Sequence, residues 1–393
     1  MSGSLAPASR VLTCVCIVIV LCSALKAQAP SPSPSPSPSP LTSPPPAPAV
    51  DSDQTSSQPE KRGRIVAAPI PIVSPVFGTG LVGVFGYVFK MKMTDTKSRP
   101  STVGAVGAFT NNGTRGLLVG ARLYFAENKY QTTMRFGKGK AVAEFFGIGR
   151  IPGRPPISTR IEGRGTFFFG EFMRNVGWDT FIGPRYQYRS LNFSRTQPAV
   201  PGGFEIPPID VHSTSAAIGF HVQRDTRDST FYPRKGTLLD VEGNFFSPVV
   251  GSRRTYQTYK IAYNGFRSLG DKQVLAYRGM VCAVNDRTPF YDLCFYGSSD
   301  LRGYTAGQYQ NNRSFAAQAE YRRELPWRLG IVAFAGLGGI ADRFTNFNSN
   351  HFLPAAGIGI RYKLEKKNHI NYRVDFGVGR SGTTLTMSVG EAF

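Results

Sequence analysis

Cys282 and Cys294 are the residues of this chain whose type and spacing most directly suggest covalent chemistry. The other three of the five cysteines, Cys14, Cys16 and Cys22, lie in an apolar leader that export would remove. In an oxidising compartment, an isolated pair twelve residues apart is a candidate disulfide. The alternative is two inert thiols that are buried separately.

Catalytic and metal-binding patterns are not found in the sequence. The four histidines, His212, His221, His351 and His369, are not placed with metal-ligand spacing in the sequence. The stretch GIGRIPG (147–153) follows no βαβ unit and is better explained as a loop than as a nucleotide site. We therefore expect a protein that is not an enzyme and that uses no metal or cofactor.

The elements that carry these residues show a two-residue alternation typical of β-strands. In the segment 313–325, Phe315 and Tyr321 share one face, whereas Gln318 and Glu320 share the other. The closing stretch GTTLTMSVGEAF repeats the alternation, with these apolar side chains on one face: Leu385, Met387, Val389 and Phe393. Long strands with one apolar face indicate a transmembrane β-barrel, whereas a soluble β-sandwich would have shorter strands with polar outer faces.

Sixteen strands are expected in an antiparallel barrel. They lie near 79–91, 101–110, 115–125, 129–136, 141–148, 159–174, 177–192, 212–224, 236–247, 253–268, 272–285, 313–325, 328–342, 352–364, 369–380 and 382–393. This count places the tight connections at one end, which is the periplasmic end: 111–113, 269–272, 326–327 and 365–368. The segment 141–148 has the weakest pattern, and if it is not a separate strand, 65–73 must supply the missing one.

The chain divides into three segments. Residues 1–29 contain a short apolar block and are expected to be a signal peptide. The Pro/Ser-rich residues 30–64 are expected to be a disordered tether, and 65–393 the barrel. Nucleic acid is a poor partner for the net charge of +21, because the protein is expected to be exported. Lipopolysaccharide phosphates, anionic lipid headgroups or an acidic passing substrate fit this charge better, and the simplest alternative is a solvated basic rim.

Four stretches resemble the outer-membrane insertase and translocator superfamily, which includes BamA-type assembly barrels, two-partner-secretion translocators and bacterial surface antigen barrels. The four stretches are YGSSDLRGYTAGQYQNNRSFAAQAEYRREL (296–325), RLGIVAFAGLGGIAD (328–342), RDTRDSTFYPRKGTLLDVEG (224–243) and the ending LTMSVGEAF. The resemblance covers about residues 75–393 and implies location in the bacterial outer membrane. It also implies that the ending, with its final aromatic Phe393, is the signal by which assembly machinery recognises the barrel.

The resemblance gives the loop after the eleventh strand a role. In the family this loop carries an Arg-Gly-aromatic motif after an aliphatic residue, and the matching residues are Leu301, Arg302, Gly303 and Tyr304. The loop is expected to fold into the lumen, where Arg302 meets carboxylates on the inner wall. There Arg302 either only holds the loop and stabilises the barrel, or takes part in gating or substrate handling. By position these carboxylates are Glu320 and Asp342. The sequence departs from the family at 333–338, where AFAGLG lacks an inner-wall aspartate.

Three functions follow as hypotheses. The first is assistance with protein or lipid insertion or translocation, by lateral opening beside a first strand that contains Gly80, Gly83 and Gly86. Residues 30–74 are too short and proline-rich for a POTRA module that would receive substrate. The candidate partners are an exported protein substrate and a separate periplasmic protein that supplies the missing modules. The second is a passive, anion-favouring porin or structural surface barrel, with these arginines in the lumen: Arg185, Arg189, Arg278 and Arg302. The third, an outer-membrane enzyme, lacks any motif to support it.

Overall fold

The structure is a computed structural model, and it describes residues 63–74, 78–95, 97–149, 159–195, 211–365 and 369–393. The expected signal peptide and nearly all of the expected tether lie outside these residues. No helix in the described segments is long and apolar enough to cross a membrane.

In the described part of the chain, sixteen antiparallel strands form one sheet in chain order, and the first strand lies beside the last so that the sheet curves into a barrel. This confirms the predicted fold. The strands are β1 (Gly63–Ser74), β2 (Gly78–Phe89), β3 (Ser101–Thr110), β4 (Arg115–Phe125), β5 (Tyr130–Phe145), β6 (Thr159–Gly177), β7 (Thr180–Arg195), β8 (His212–Asp225), β9 (Gly236–Phe246), β10 (Tyr256–Gly270), β11 (Gln273–Val284), β14 (Arg313–Glu324), β15 (Leu329–Ala341), β16 (Phe352–Glu365), β17 (Ile370–Gly379) and β18 (Gly382–Val389). Between β11 and β14, the short strands β12 (Cys294–Phe295) and β13 (Gln310–Asn311) form a separate hairpin.

The first strands of the barrel differ from the prediction. The predicted strands 129–136 and 141–148 are one continuous strand, β5, and the missing strand is β1, which covers the 65–73 segment. As a result, the glycines that were expected at the barrel seam, Gly80, Gly83 and Gly86, belong to β2. The seam itself lies between β1 and β18.

Adding β1 also changes which barrel end carries the first turns. The connection 111–113 follows the third strand of the sheet, so it lies at the same end as the long loop after β11 and not at the opposite end, as predicted. The tight connections 269–272 and 326–327 keep their predicted end, because the strand numbering agrees with the prediction from β6 onward.

The two faces of the sheet differ in polarity. Large apolar side chains alternate along the strands and are exposed on the outer face; examples are Leu117, Phe136, Phe168, Ile218, Ile261, Ile331, Ile358 and Phe376. Both tryptophans of the chain, Trp178 and Trp327, are 86% and 94% exposed in turns at the end opposite the long loop. Tryptophan favours the membrane–water interface, so this short-turn end lies at one membrane surface. Barrels of this kind carry short turns on the periplasmic side and long loops outside.

Candidate functional site

The long connection between β11 and β14, residues 285–312, folds into the barrel; we call it the lumen loop. Its central residues are buried, with Leu301 fully enclosed and Arg302 3% exposed. A loop can be buried only if its backbone and charged groups find partners inside the protein. Ion pairs, hydrogen bonds and a disulfide to the barrel wall supply those partners.

A disulfide joins Cys282 in β11 to Cys294 in β12, with the two Cα atoms 5.7 Å apart. The bond therefore connects the foot of the lumen loop to the barrel wall. It restricts the first part of the loop, between the wall and the β12–β13 hairpin.

Arg302 lies at the centre of the lumen contacts. Its Nη2 atom lies 2.5 Å from a carboxylate oxygen of Glu320, and its Nη1 atom donates to Asp375 at 3.2 Å. The backbone N–H and Nε both donate to the side-chain oxygen of Gln318. The guanidinium also stacks on the ring of Phe334, 3.7 Å from its centroid. A planar five-donor group can make all of these contacts at once, which a lysine ammonium cannot do.

One of the two expected carboxylate partners is wrong. Glu320 contacts Arg302 as expected, but Asp342 is exposed beyond the end of β15, where its carboxylate accepts hydrogen bonds from Asn346 and from the backbone of Arg343. The second carboxylate that contacts Arg302 is that of Asp375 on β17. The physical reason is the position along the barrel axis. Asp342 lies past the end of β15, whereas Arg302 reaches the middle of the wall.

Arg302 belongs to a larger buried network that we call the arginine–carboxylate cluster. Four guanidinium groups and three carboxylates form it, on Arg302, Arg322, Arg361, Arg373, Glu320, Asp375 and Glu391. Arg361 bridges two of the acids, at 2.6 Å to Asp375 and 2.8 Å to Glu391. The seven side chains carry one net positive charge if all are ionised, and each charge has an opposite neighbour that offsets the cost of burial.

The last residues of the chain complete this cluster instead of extending the last strand. Leu385, Met387 and Val389 share one face of β18 as predicted from alternation, but β18 ends at Val389. Gly390 has a φ of 90°, and Phe393 turns toward the lumen, where its main-chain oxygen accepts a hydrogen bond from Arg322 at 3.1 Å. Leu385, Met387 and Val389 therefore share one strand face, but Phe393, the final aromatic residue of the expected assembly signal, does not continue that face.

The other motif residues fit the wall closely. Leu301 packs where Gly336 and Gly338 leave space: a Cβ on either glycine would lie 3.0 Å or less from its side chain. Gly303 has a φ of 100°, and a Cβ there would lie 2.9 Å from a backbone oxygen of β17. Tyr304 donates to the carbonyl of Pro354 at 2.5 Å and accepts from a backbone N–H at the β17–β18 turn. The AFAGLG departure thus provides an arginine-stacking ring and room for the motif leucine.

Further anchors hold the lumen loop on other sides of the barrel. Asp300 pairs with Arg278 at 2.7 Å and with Lys260 at 3.5 Å. Burial alone would raise the pKa of the Asp300 carboxyl, but these two cations outweigh it and hold that pKa well below its ordinary value. Asp292 pairs with Arg189 of β7 and accepts from a tyrosine of β10.

An aromatic anchor holds the same part of the loop. Phe290 packs against Phe145 of β5 and Phe193 of β7, with ring centroids 5.2 and 5.1 Å apart. Together with the ion pairs, these contacts reach from β5 to β17.

The arginines proposed for an anion-favouring lumen are all ion-paired. Arg185 pairs with Glu171 at 2.9 Å and with Glu242 at 2.8 Å, beside His221, which contacts the same Glu171. The other three arginines pair with the acids already described. Paired guanidinium groups attract passing anions less than free ones do. No set of three or more histidine, cysteine or acidic side chains among the described residues is placed to hold a metal ion.

Sequence reasoning missed most of the cluster. The sequence motifs do not identify Arg361, Arg373 or Asp375, although each lies in a strand with alternating polarity. The available signal was charge on the inner face: an arginine and an aspartate two residues apart in YRVDF point the same way.

Comparisons with known proteins agree with this architecture. The family model described as the Omp85 superfamily domain matches residues 179–378. Among solved structures, BamA from Haemophilus ducreyi lacking POTRA domains 1–3 is similar with a TM-score of 0.56 at 14% identity, covering 84% of this chain and 70% of that one. CdiB from Escherichia coli is similar with a TM-score of 0.57 at 13% identity, covering 85% and 63%.

CdiB from Acinetobacter baumannii gives a TM-score of 0.56 at 10% identity, covering 84% and 60%. The chain thus spans less than two thirds of the length of either CdiB protein. No curated protein sequence matches the chain. Because the family model matches just over half of the chain and contains the lumen-loop motif, this outer-membrane barrel belongs to the Omp85 superfamily.

Proposed function

We propose that this barrel assists the insertion or translocation of protein, or of lipid, at the outer membrane. The observation that carries the proposal is the lumen loop, held in the barrel by Arg302 between Glu320 and Asp375. A loop fixed in this way blocks a steady water-filled path through the described lumen. A substrate would then pass beside the loop or through the wall.

The seam between β1 and β18 supports passage through the wall. β1 contains Pro69 and Pro71, and its pairing with β2 continues through both residues. Proline lacks an N–H, and within sheets it is confined to positions where that donor is not needed. We infer that both missing donors belong to the edge that faces β18, so the seam is the weakest line of the wall.

The partners follow from this location. Outer-membrane lipid and lipopolysaccharide surround the barrel, and the assembly machinery inserts it. The substrate is an exported protein or a lipid, delivered by a separate periplasmic partner at the short-turn end. The proposed action needs only binding and a conformational change, so it requires no catalytic group.

Single-channel recording of the full chain in planar bilayers tests the role of the loop. Wild type is expected to give a small, flickering current, and Arg302→Ala a mean conductance several times larger, because the loop loses its central ion pairs. Arg287→Ala is the matched control, since Arg287 lies in the same loop but is exposed. A large, steady, anion-selective current from wild type would instead favour a passive porin.

An insertion assay tests the activity itself. Proteoliposomes that contain the wild-type chain are expected to insert an unfolded barrel substrate faster than empty liposomes do. The proposal fails if the two rates are equal while heat-modifiable gel mobility shows that the wild-type barrel is folded.

A further inference from the structure

Three cations form a row across neighbouring strands on the outer face of the barrel. In the sheet register, Arg115 of β4 lies directly opposite Lys140 of β5, which lies directly opposite Arg164 of β6. Directly opposite side chains on antiparallel strands have Cβ atoms about 5 Å apart, and like charges in this arrangement destabilise the sheet. The row therefore needs negative charge near it.

A row of apolar side chains runs parallel to the row of cations on the same outer face. Four residues farther along the same strands, Val119, Phe136 and Phe168 form a row of exposed apolar side chains in the same register. At ~3.4 Å per residue, the two rows are about 14 Å apart. Lys138 lies between them on the same face and is exposed. The cations thus border the apolar band.

Among the described residues, acidic side chains balance only part of this positive charge. Glu162 pairs with Lys140 and with Arg164, each at 2.6 Å. Four cations and one carboxylate leave a net charge of +3 on this patch, which consists of Arg115, Lys138, Lys140, Arg164 and Glu162. The side chain of Arg164 is 66% exposed, so its guanidinium is accessible from outside.

The patch lies at the loop end of the barrel, beside the connection 111–113 and on the same side as the foot of the lumen loop. With short turns on the periplasmic side, this end faces the outer leaflet. We propose that Arg115, Lys138, Lys140 and Arg164 bind the phosphate groups of a phosphorylated glycolipid, the lipid A part of lipopolysaccharide, while the apolar row below contacts its acyl chains. The inference depends on the outer-membrane location and is independent of the proposed function.

Charge and geometry both favour this ligand. Arginine and lysine are common phosphate-binding residues, and a phosphate would relieve the repulsion along the row. An anion held at the border of an apolar band fits a lipid headgroup better than a freely diffusing phosphate, because the acyl chains add contacts with Phe136 and Phe168. A lipid ligand therefore contacts both the row of cations and the row of apolar side chains.

Native mass spectrometry of the full-length barrel in detergent, titrated with bisphosphorylated lipid A, tests the site. The variant R115Q/K138Q/K140Q/R164Q is expected to bind about tenfold more weakly, because it loses several charge-assisted contacts. Glu162→Gln removes the competing carboxylate and is expected to strengthen binding about twofold. This second variant keeps every cation of the row, so it tests the site even if the first variant folds poorly.

Matched controls separate this site from a general attraction to positive charge. The variant K129Q/K235Q/K272Q/R323Q removes four exposed cations near the short-turn end and is expected to bind lipid A like wild type. Equal binding of dephosphorylated lipid A, or full displacement by inorganic phosphate at the lipid's own concentration, would overturn the proposal. Equal loss in the two quadruple variants would also overturn it, since it would indicate only a general electrostatic attraction.

Discussion

At the scale of single residues, the charges inside the barrel depend on one another. Asp375 contacts Arg302, Arg361 and Arg373, so its carboxylate offsets the repulsion among three guanidinium groups. Glu320 does the same for Arg302 and Arg322. Removing one member of such a buried network leaves its partners with uncompensated charge.

Asp375→Asn is therefore expected to lower the free energy of unfolding by about 3–5 kcal/mol. Urea unfolding of the folded barrel in lipid vesicles measures this change. Asp342→Asn is the matched control, because Asp342 is exposed and bonds only to its own turn; its effect is expected to stay within about 0.5 kcal/mol. Equal effects of the two substitutions would contradict the assignment of Asp375 to the site.

The sequence predicts part of this site. Strand alternation places Glu320 on the inner face, and the motif resemblance selects Arg302, so their contact could be expected before the structure. Alternation cannot say how deep in the barrel each inner side chain lies. Polarity alone therefore does not distinguish Asp342, the residue predicted from the sequence, from Asp375, which alternation places on an inner face as well. Only the register of β14 to β17 decides between them.

At the scale of elements, glycine and proline explain the two strands that differ from prediction. The stretch FGKGKA inside β5 contains two glycines, which usually indicate a turn. In the barrel, Gly139 instead lies opposite Gly116, where a Cβ would come within 3.0 Å of the neighbouring backbone. Pro69 and Pro71 argue against a central strand but are compatible with a strand at the seam. The glycines of β5 and the prolines of β1 can therefore be interpreted correctly only when the neighbouring strand is known.

Loss of the disulfide at the foot of the lumen loop should increase the motion of the loop segment that it restricts. Reduction, or the variant C282S/C294S, is expected to increase amide hydrogen exchange about tenfold in residues 285–295, because a cross-link no longer restricts this segment. Exchange in the wall strands β14 to β17 should change little, since Arg302 and its partners still hold the loop centre. Hydrogen-exchange mass spectrometry with and without reductant measures both regions.

The double variant with added reductant is the control, and it should show no further change. If exchange also rises throughout β14 to β17, the disulfide stabilises the whole barrel and not only the loop foot.

At the scale of the whole molecule, many contacts hold the lumen loop to the wall, whereas the seam between β1 and β18 is weak. The loop connects the wall from β5 through Phe290 to β17 through Arg302, with ion pairs at Asp292 and Asp300 between them. The seam joins the proline-containing β1 to β18, whose eight residues make it the shortest strand of the barrel in the described chain. A barrel that is fixed internally but weak along one line favours opening at that line.

Restoring the two missing donors should strengthen the seam. In P69A/P71A each new N–H can donate to β18, and two hydrogen bonds of about 1 kcal/mol each should slow amide exchange in β18 by about tenfold or more. The variant should also insert substrate more slowly than wild type if opening occurs here. Pro184→Ala is the control, because Pro184 lies in β7, away from the seam. If P69A/P71A leaves β18 exchange unchanged, the prolines do not weaken the seam; if exchange slows but insertion does not, substrate does not pass between β1 and β18.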